Sequence, residues 1–281
     1  MSLSLTNVQQ VEFDALVKAQ YQSLGFKLRD TMRLRSDIVG NTCQFRKVGE
    51  VIAVPYAYQQ QAVIQDPGFY AETATLQKYM APTAVDEIQD LTVNFDARRE
   101  NAMVVAYAIG RRSDQIMIDA LNNSGTSNNV ATNASNLTYA KLRETLAYFE
   151  ENAVPIEERY FACSGNNMAA LLADDQIISR LYTSNDAVAV GTLNFRDLMG
   201  MNIRVIPTMP EGGLPLSGTI RTCFAWQKRA LGMAIGQDMR TEINYLPQYT
   251  SWLVNGVFFA GATAIDNLGI ITVDCDESVN P

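Results

Sequence analysis

The chain has 281 residues, a formal net charge of -8 and 47 % hydrophobic residues, enough to bury one large core or two modest ones. It contains no His, which excludes Ser-His-Asp and Cys-His catalysis, His-ligated metals and the usual pH switch. The negative balance also argues against non-specific nucleic-acid binding by the whole molecule.

Four cysteines stand far apart at positions 43, 163, 223 and 275, with no CxxC pair, so a zinc knuckle or redox motif is not expected. The opening MSLSLTNVQQVEFD lacks the basic and apolar regions of a signal peptide. The most apolar stretch, Trp252 to Ile265, is interrupted by Asn255, Gly256 and Gly261 and falls short of the roughly 18 residues of a spanning helix, so no membrane partner is expected.

In chain order, residues 1–45 read as a leading arm. A broken helical pattern from Thr6 to Arg35 passes through Val8, Val11, Ala15 and Ala19, then Leu24, Leu28 and Met32, with Gly25 dividing it. Between Lys27 and Lys47 six basic residues (Lys27, Arg29, Arg33, Arg35, Arg46, Lys47) outnumber two acids, Asp30 and Asp37, and this +4 within a chain of -8 leaves -12 for the rest. The asymmetry suits either a solvated charged helix or an arm that docks on an acidic neighbour or faces a polyanion.

Residues 46–95 read as an excursion of two strands. Glu50 to Tyr56 mixes branched and aromatic residues, Ala62 to Gln65 continues it, Asp66-Pro67-Gly68 is a turn, and Asp86 to Phe95 is a return strand. So little apolar content on one side makes no core alone, so the pair is either an exposed hairpin leaning on another chain or a sheet edge.

Asp96 to Leu121 is the longest uninterrupted helical reading, capped by Asp96 and spanning almost 40 Å at about 1.5 Å per residue. Met103, Tyr107, Gly110, Met117 and Leu121 form one apolar stripe and Val105, Ile109, Ile116 and Ala120 a second, leaving Arg98, Arg99, Arg111, Arg112 and Asp119 for wetter sides. Residues 122–136 are loop by composition. Helices follow from Thr138 to Asn152 and from about Asn166 to Tyr182, around a short strand, Tyr160 to Ser164. Met201 to Pro207 reads as a strand and Pro207 to Pro215 as an exposed loop without a phosphate-binding signature. Strands are expected at Thr219–Trp226, Met233–Ile235, Arg240–Leu246, Ser251–Ile265 and Gly269–Val273, with a short helical piece between Gln227 and Gly232. The run Trp252 to Ala264 is the expected core strand against the long helix.

Paired carboxylates at Glu150-Glu151, Glu157-Glu158 and Asp174-Asp175 point in different directions and make poor acid–base couples. The tail acids Asp274, Asp276 and Glu277 lack a calcium-loop pattern and read as surface charge. No catalytic, metal or cofactor site is expected. The candidates left are contacts between subunits: the basic Lys27, Arg29, Arg33 and Arg35, the aromatics Tyr56, Tyr58 and Tyr70, and Arg98, Arg99, Arg111 and Arg112 on the long helix.

This order of elements, with stretches such as VGEVIAVPYAYQQQ, DEIQDLTVNFDARRENAMVVAYAIGRRSDQIMIDALNN and IGQDMRTEINYLPQYTSWLVNGVFFAGATAIDNLGIITVDCDE, resembles the major capsid protein of tailed bacteriophages with the Hong Kong 97-like fold. The resemblance implies an α+β chain divided into an N-terminal arm (1–45), an extended loop or β-hairpin (46–95), a peripheral domain with the spine helix (96–155 and 241–281) and an axial domain (156–240) with its apex near 207–215. It implies a structural protein, not an enzyme, whose copies assemble as pentamers and hexamers into an icosahedral virion shell. The shell would enclose double-stranded DNA without sequence-specific binding, after synthesis in the host cytoplasm. A separate scaffolding protein, a portal and a possible cement protein are the implied partners. Lys78 lies in the loop, but no Asn partner or catalytic Glu is identifiable, so no covalent crosslink is expected. Alternatives are an encapsulin-like nanocompartment, a soluble α/β enzyme and a tail or baseplate component.

Overall fold

A computed structural model describes residues 23–61, 63–88, 96–174 and 197–279. Its longest element is helix α1, Ala97–Asn122. The Asp96 carboxylate accepts the Arg99 amide at 3.2 Å and closes the first turn. At the other end the Asn123 amide donates back to the carbonyls of Asp119 and Leu121.

One face of α1 lies on a four-stranded sheet. Its order is β1 (Arg33–Arg35), β11 (Leu231–Leu246), β12 (Ser251–Ala264), β4 (Gln77–Asp86). Alternation along β12 turns Val254, Gly256 and Phe258 to the helix, and Val254 and Phe258 are fully buried. Gly256 sets the approach: a Cβ there would stand 2.5 Å from Val105 Cγ1 and 3.1 Å from Ile109 Cγ1. The expected core strand is therefore present and packs where its pattern places it.

The seven-stranded sheet holds β5 (Asn129–Val130), β13 (Ile270–Asp276), β10 (Ile220–Gln227), β6 (Arg159–Ser164), β8 (Met201–Ile206) and β7 (Asp197–Leu198) in that order, with β9 (Leu216–Ser217) beside β10. Every residue of β6 is buried, and it runs parallel to β8. Helix α2 (Tyr139–Glu151) precedes β6 and α3 (Gly165–Ala173) follows it. The Asp174 carboxylate accepts the Tyr139 amide at 2.9 Å, so the residue ending α3 supplies an acceptor at the start of α2. A single core joins both sheets to α1 and includes Leu28, Met117, Phe161, Trp226, Phe258 and Ile271.

A separate ribbon pairs β2 (Thr42–Val48) with β3 (Phe69–Thr75). It has a small core of its own, in which Cys43, Phe45, Ala74 and Leu76 meet Ala234 and Ile265.

Several expectations are corrected. Residues 24–35 are not helical: a single 3-10 turn, Arg29–Thr31, leads into β1. Leu28 and Met32 are core residues, so tertiary burial overrides the helical spacing; the pattern from Thr6 through residue 22 lies outside the described residues. Residues 50–56 form no strand, because the ladder partners are 42–48 and 69–75, where Cys43, Phe45 and Ala74 have apolar residues to meet. The return strand is earlier than expected: β4 ends at Asp86, paired with Ser251, and 89–95 lie outside the described residues. On α1 the second stripe and the Gly110–Met117–Leu121 part of the first are buried or half-buried, whereas Met103 is exposed. Helix α3 stops at Ala173, and the remainder of the expected helix, 175–182, lies outside the described residues. The expected strands 233–235 and 240–246 are one strand, β11, with register shifts at Ile235/Gln237 and Gln237/Arg240.

Glu277 is not surface charge. Its carboxylate receives Arg221 Nε and Nη2 at 3.0 and 3.1 Å and the Ser164 hydroxyl at 2.7 Å, while Arg221 Nη1 donates to the Leu214 carbonyl at 2.8 Å. Burial alone would raise its pKa, but the Arg221 and Ser164 hydrogen bonds outweigh that and hold it below the usual Glu value. The contribution of this ion pair is present above the ordinary carboxylate range and is lost as pH falls through the lowered value. Glu277→Ala leaves Arg221 buried without its partner, and chemical denaturation at pH 7 should show a loss of about 3 kcal/mol. The difference from wild type should shrink on acidification.

Candidate assembly surfaces

Two kinds of surface emerge among the residues singled out in the sequence: those consumed inside the molecule and those left open. The basic segment belongs mainly to the first. Residues 24–32 cross α1 at Gly110, where Gly25 adopts φ +69° and the Phe26 amide donates to the Gly110 carbonyl at 3.3 Å. One helical turn on, the Asp114 carboxylate accepts the Lys27 and Leu28 amides, both at 3.2 Å. The Trp226 indole N–H, fully buried, donates to the Thr31 carbonyl at 3.0 Å. These contacts fasten 24–32 to its own molecule.

The cations follow the backbone. Arg29 makes a bidentate pair with Asp238 at 3.0 and 2.6 Å, Lys27 Nζ lies 3.5 Å from the Val205 carbonyl, and Arg204 pairs with Asp30 at 2.7 Å. The Arg33 guanidinium sits 6.0 Å from the Phe45 ring centre, and Arg35 donates to the Gln44 carbonyl at 3.1 Å. On the spine helix, Arg98 stacks 5.0 Å over Trp252, and Arg112 lies 4.4 Å over Tyr79 and 3.8 Å from Glu211. Arg111 is half-buried, its backbone against Gly212, and the Arg99 side chain is exposed. The loop 207–215 is thus anchored rather than fully exposed. The Gly212 amide donates to Gln115 Oε1 at 2.8 Å, its Cα faces Arg111, and Gly212 to Leu214 are buried.

The aromatics are of the second kind. From Val51 to Gln65 the chain carries no charged residue, and in this stretch Ile52, Tyr56, Tyr58 and Ile64 are 79, 65, 92 and 95 % exposed. Tyr70, on β3, is also exposed. The neck of the loop is closed by the Gly49 amide on the Gly68 carbonyl at 3.0 Å, and Gln65 Oε1 accepts the Ile52 amide at 3.1 Å. Water-facing apolar residues this dense exceed the scattered ones that an ordinary protein surface carries.

Among the described residues no group of three His, Cys, Asp or Glu side chains is placed to hold a metal ion, and no helix is long and apolar enough to cross a membrane. Glu150 pairs with buried Arg159 at 2.8 Å and Glu158 with Lys228 at 2.5 Å, so the carboxylate doublets serve as structural anchors.

The sequence reading missed Asp114 as an anchor, although one signal existed: it falls on the Gly110–Met117–Leu121 stripe, where a carboxylate needs a reason. Burial pushes its pKa up to about 6, against the lowering effect of the Leu28 and Lys27 amides and the Lys27 charge. For an acid with a raised folded-state pKa, stability rises as pH falls from 7 through that value and levels off below the ordinary Asp range. Wild type should therefore gain about 2 kcal/mol of stability relative to Asp114→Asn between pH 7 and pH 4, measured by denaturant unfolding. A constant difference across that interval would contradict the placement of this carboxylate.

A model of the phage capsid protein family matches residues 5–277. No curated protein sequence matches the chain. Among solved structures, the capsid of cyanophage P-SCSP1u is 15 % identical with a TM-score of 0.75, over 97 % of this chain and 94 % of that one. The head of Helicobacter pylori bacteriophage KHP40 is 10 % identical with a TM-score of 0.74 over 98 % of both chains, and a Mycobacterium phage Che8 chain is 13 % identical with a TM-score of 0.71 over 96 % and 98 %. At these identities the likeness is one of fold. The family match spans almost the entire sequence, and the chain belongs to the phage capsid protein family as a structural, non-enzymatic major capsid protein of a phage head shell.

Proposed function

We propose that copies of this subunit close into an icosahedral shell of pentamers and hexamers that encloses the double-stranded DNA of a tailed phage. A separate scaffolding protein and a portal take part in assembly, a cement protein is a possible later addition, and synthesis precedes assembly in the host cytoplasm. The observation that carries this reading is the uncharged, exposed stretch 51–65 beside a body whose own core is complete. Each apolar side chain of that stretch contributes about 2 kcal/mol when a neighbour covers it. Repetition by symmetry turns such modest contacts into a closed particle.

The implied division into arm (1–45), extended loop (46–95), peripheral domain (96–155 and 241–281) and axial domain (156–240) is retained as a working scheme with one refinement. Residues 24–35 are welded to the body of their own subunit, so this part of the arm is not available to reach another one. Tyr56, Tyr58 and Tyr70 are the favoured inter-subunit contacts. Lys27, Arg29, Arg98 and Arg112 act first within the subunit. A net charge of -8 suits a wall around DNA whose charge is balanced by small cations, rather than a protein that wraps it.

The test is a paired substitution, Ile52→Asp with Tyr58→Asp. The variant subunit should unfold at the wild-type temperature and yet form no closed particles by sedimentation and negative-stain microscopy. Particles at the wild-type yield would overturn the proposed role of this loop.

A further inference from the structure

A cavity of 320 Å3 opens where the last turns of α1 meet the end of β12 and the corner between β3 and β4. Asp119 comes from the helix, residues 261–264 from β12, and Glu72 and Tyr79 from the two strands. None of the described residues lining it is Lys or Arg. Arg112 lies 4.4 Å over the Tyr79 ring and pairs with Glu211, outside the wall. The last turn of α1 also carries no basic residue, so the partial negative charge of its C-terminal end meets no cation there. Two carboxylates and a helix C-terminus thus share one cavity without a counter-charge in its walls.

The acceptors are prearranged. Gln115 Oε1 takes the Gly212 amide at 2.8 Å, which leaves Gln115 Nε2 to donate to Asp119 Oδ1 at 2.7 Å. This fixes the Asp119 carboxylate and leaves its Oδ2 without a hydrogen-bond partner among the described residues. Glu72 likewise has no side-chain partner among them. Tyr79 donates its hydroxyl hydrogen to Gln77 Oε1 at 3.2 Å, so its oxygen can still accept. Ser124 points to a ligand independently. It is 8 % exposed and borders the cavity, yet its hydroxyl has no hydrogen-bond partner among the described residues.

This chemistry narrows the guest to a cation with several N–H donors. Two carboxylates are too few for a bare metal ion, and among the described residues no group of three His, Cys, Asp or Glu side chains is placed to hold one. A neutral polyol would leave both carboxylates uncompensated.

We propose that the cavity binds a small alkylammonium ion, with Glu72 and Asp119 balancing its charge and Ser124 and Tyr79 accepting hydrogen bonds. All four residues belong to one subunit, so the proposal does not rest on the shell reading.

The test is calorimetric titration of full-length protein, unassembled and assembled, with the diamine putrescine. Butanediol is the neutral isostere and magnesium chloride the competing metal. Expected is saturable, stoichiometric binding of putrescine in both states, weakened by high salt, and no binding of butanediol. Glu72→Gln with Asp119→Asn should weaken putrescine binding at least about tenfold. The second substitution keeps an oxygen for Gln115, so this variant should unfold at the wild-type temperature. Ser124→Ala removes only the unpartnered hydroxyl and should weaken binding about threefold, which decides the matter if the double variant is less stable. No putrescine binding, equal binding of butanediol, displacement by an equal concentration of magnesium, or an affinity unchanged in both variants would overturn the proposal. So would binding lost on assembly, which would give the cavity to a side chain of a neighbouring copy.

Discussion

The spine helix works only because two backbones approach it without side chains in the way. On one side a Cβ at Gly25 would stand 2.0 Å from the Gly110 carbonyl carbon, and a Cβ at Gly110 would stand 2.4 Å from the Leu24 carbonyl oxygen. On the other, Gly256 lets β12 settle onto Val105 and Ile109. These contacts place the arm, the helix and the four-stranded sheet in one body. The Asp114 carboxylate and the Trp226–Thr31 hydrogen bond can form only once the arm has come this close. A helix of about 40 Å gripped in this way is a stiff strut, and the rest of the subunit is arranged along it.

That constraint divides the surface. Cations near the crossing are engaged inside the subunit: Arg29 with Asp238, and Arg112 with Tyr79 and Glu211. Such half-exposed pairs contribute little individually. They fix side chains that would otherwise be long and mobile, so they shape the surface more than they stabilise it. In the uncharged loop 51–65, by contrast, Ile52, Tyr56, Tyr58 and Ile64 are largely exposed. An internal core beside an uncovered apolar loop leaves association energy in reserve for neighbours.

Much of the architecture was legible because burial has a period. The 3.6-residue stripe and the Asp96 cap located α1, and the β12 run announced itself by its apolar density. Legibility failed where a residue's neighbours come from far along the chain. Leu24, Leu28 and Met32 have helical spacing, yet the last two are buried in the main core through contacts with elements far away in sequence, and spacing cannot report that. Phe45 and Cys43 outcompeted the more β-prone 50–56 because they have Ala234 and Ile265 to pack against. Glu277 looked like tail charge because its partner, Arg221, is brought to it only by the pairing of β10 with β13. Of the candidate contacts, Tyr56, Tyr58 and Tyr70 are exposed, whereas Arg29 and Arg112 meet Asp238 and Glu211 of the same chain, and a charge pattern does not say where its counter-charge lies.

The central claim is that the subunit is a self-sufficient body carrying one stretch that only other copies can cover. Hydrogen–deuterium exchange on unassembled and assembled protein tests it most directly. The account predicts slow exchange for the amides of Lys27, Leu28 and residues 105–118 in both states, and fast exchange across 51–65 that slows only on assembly. Slow exchange across 51–65 in the lone subunit, or equally fast exchange there in the assembled shell, would contradict it.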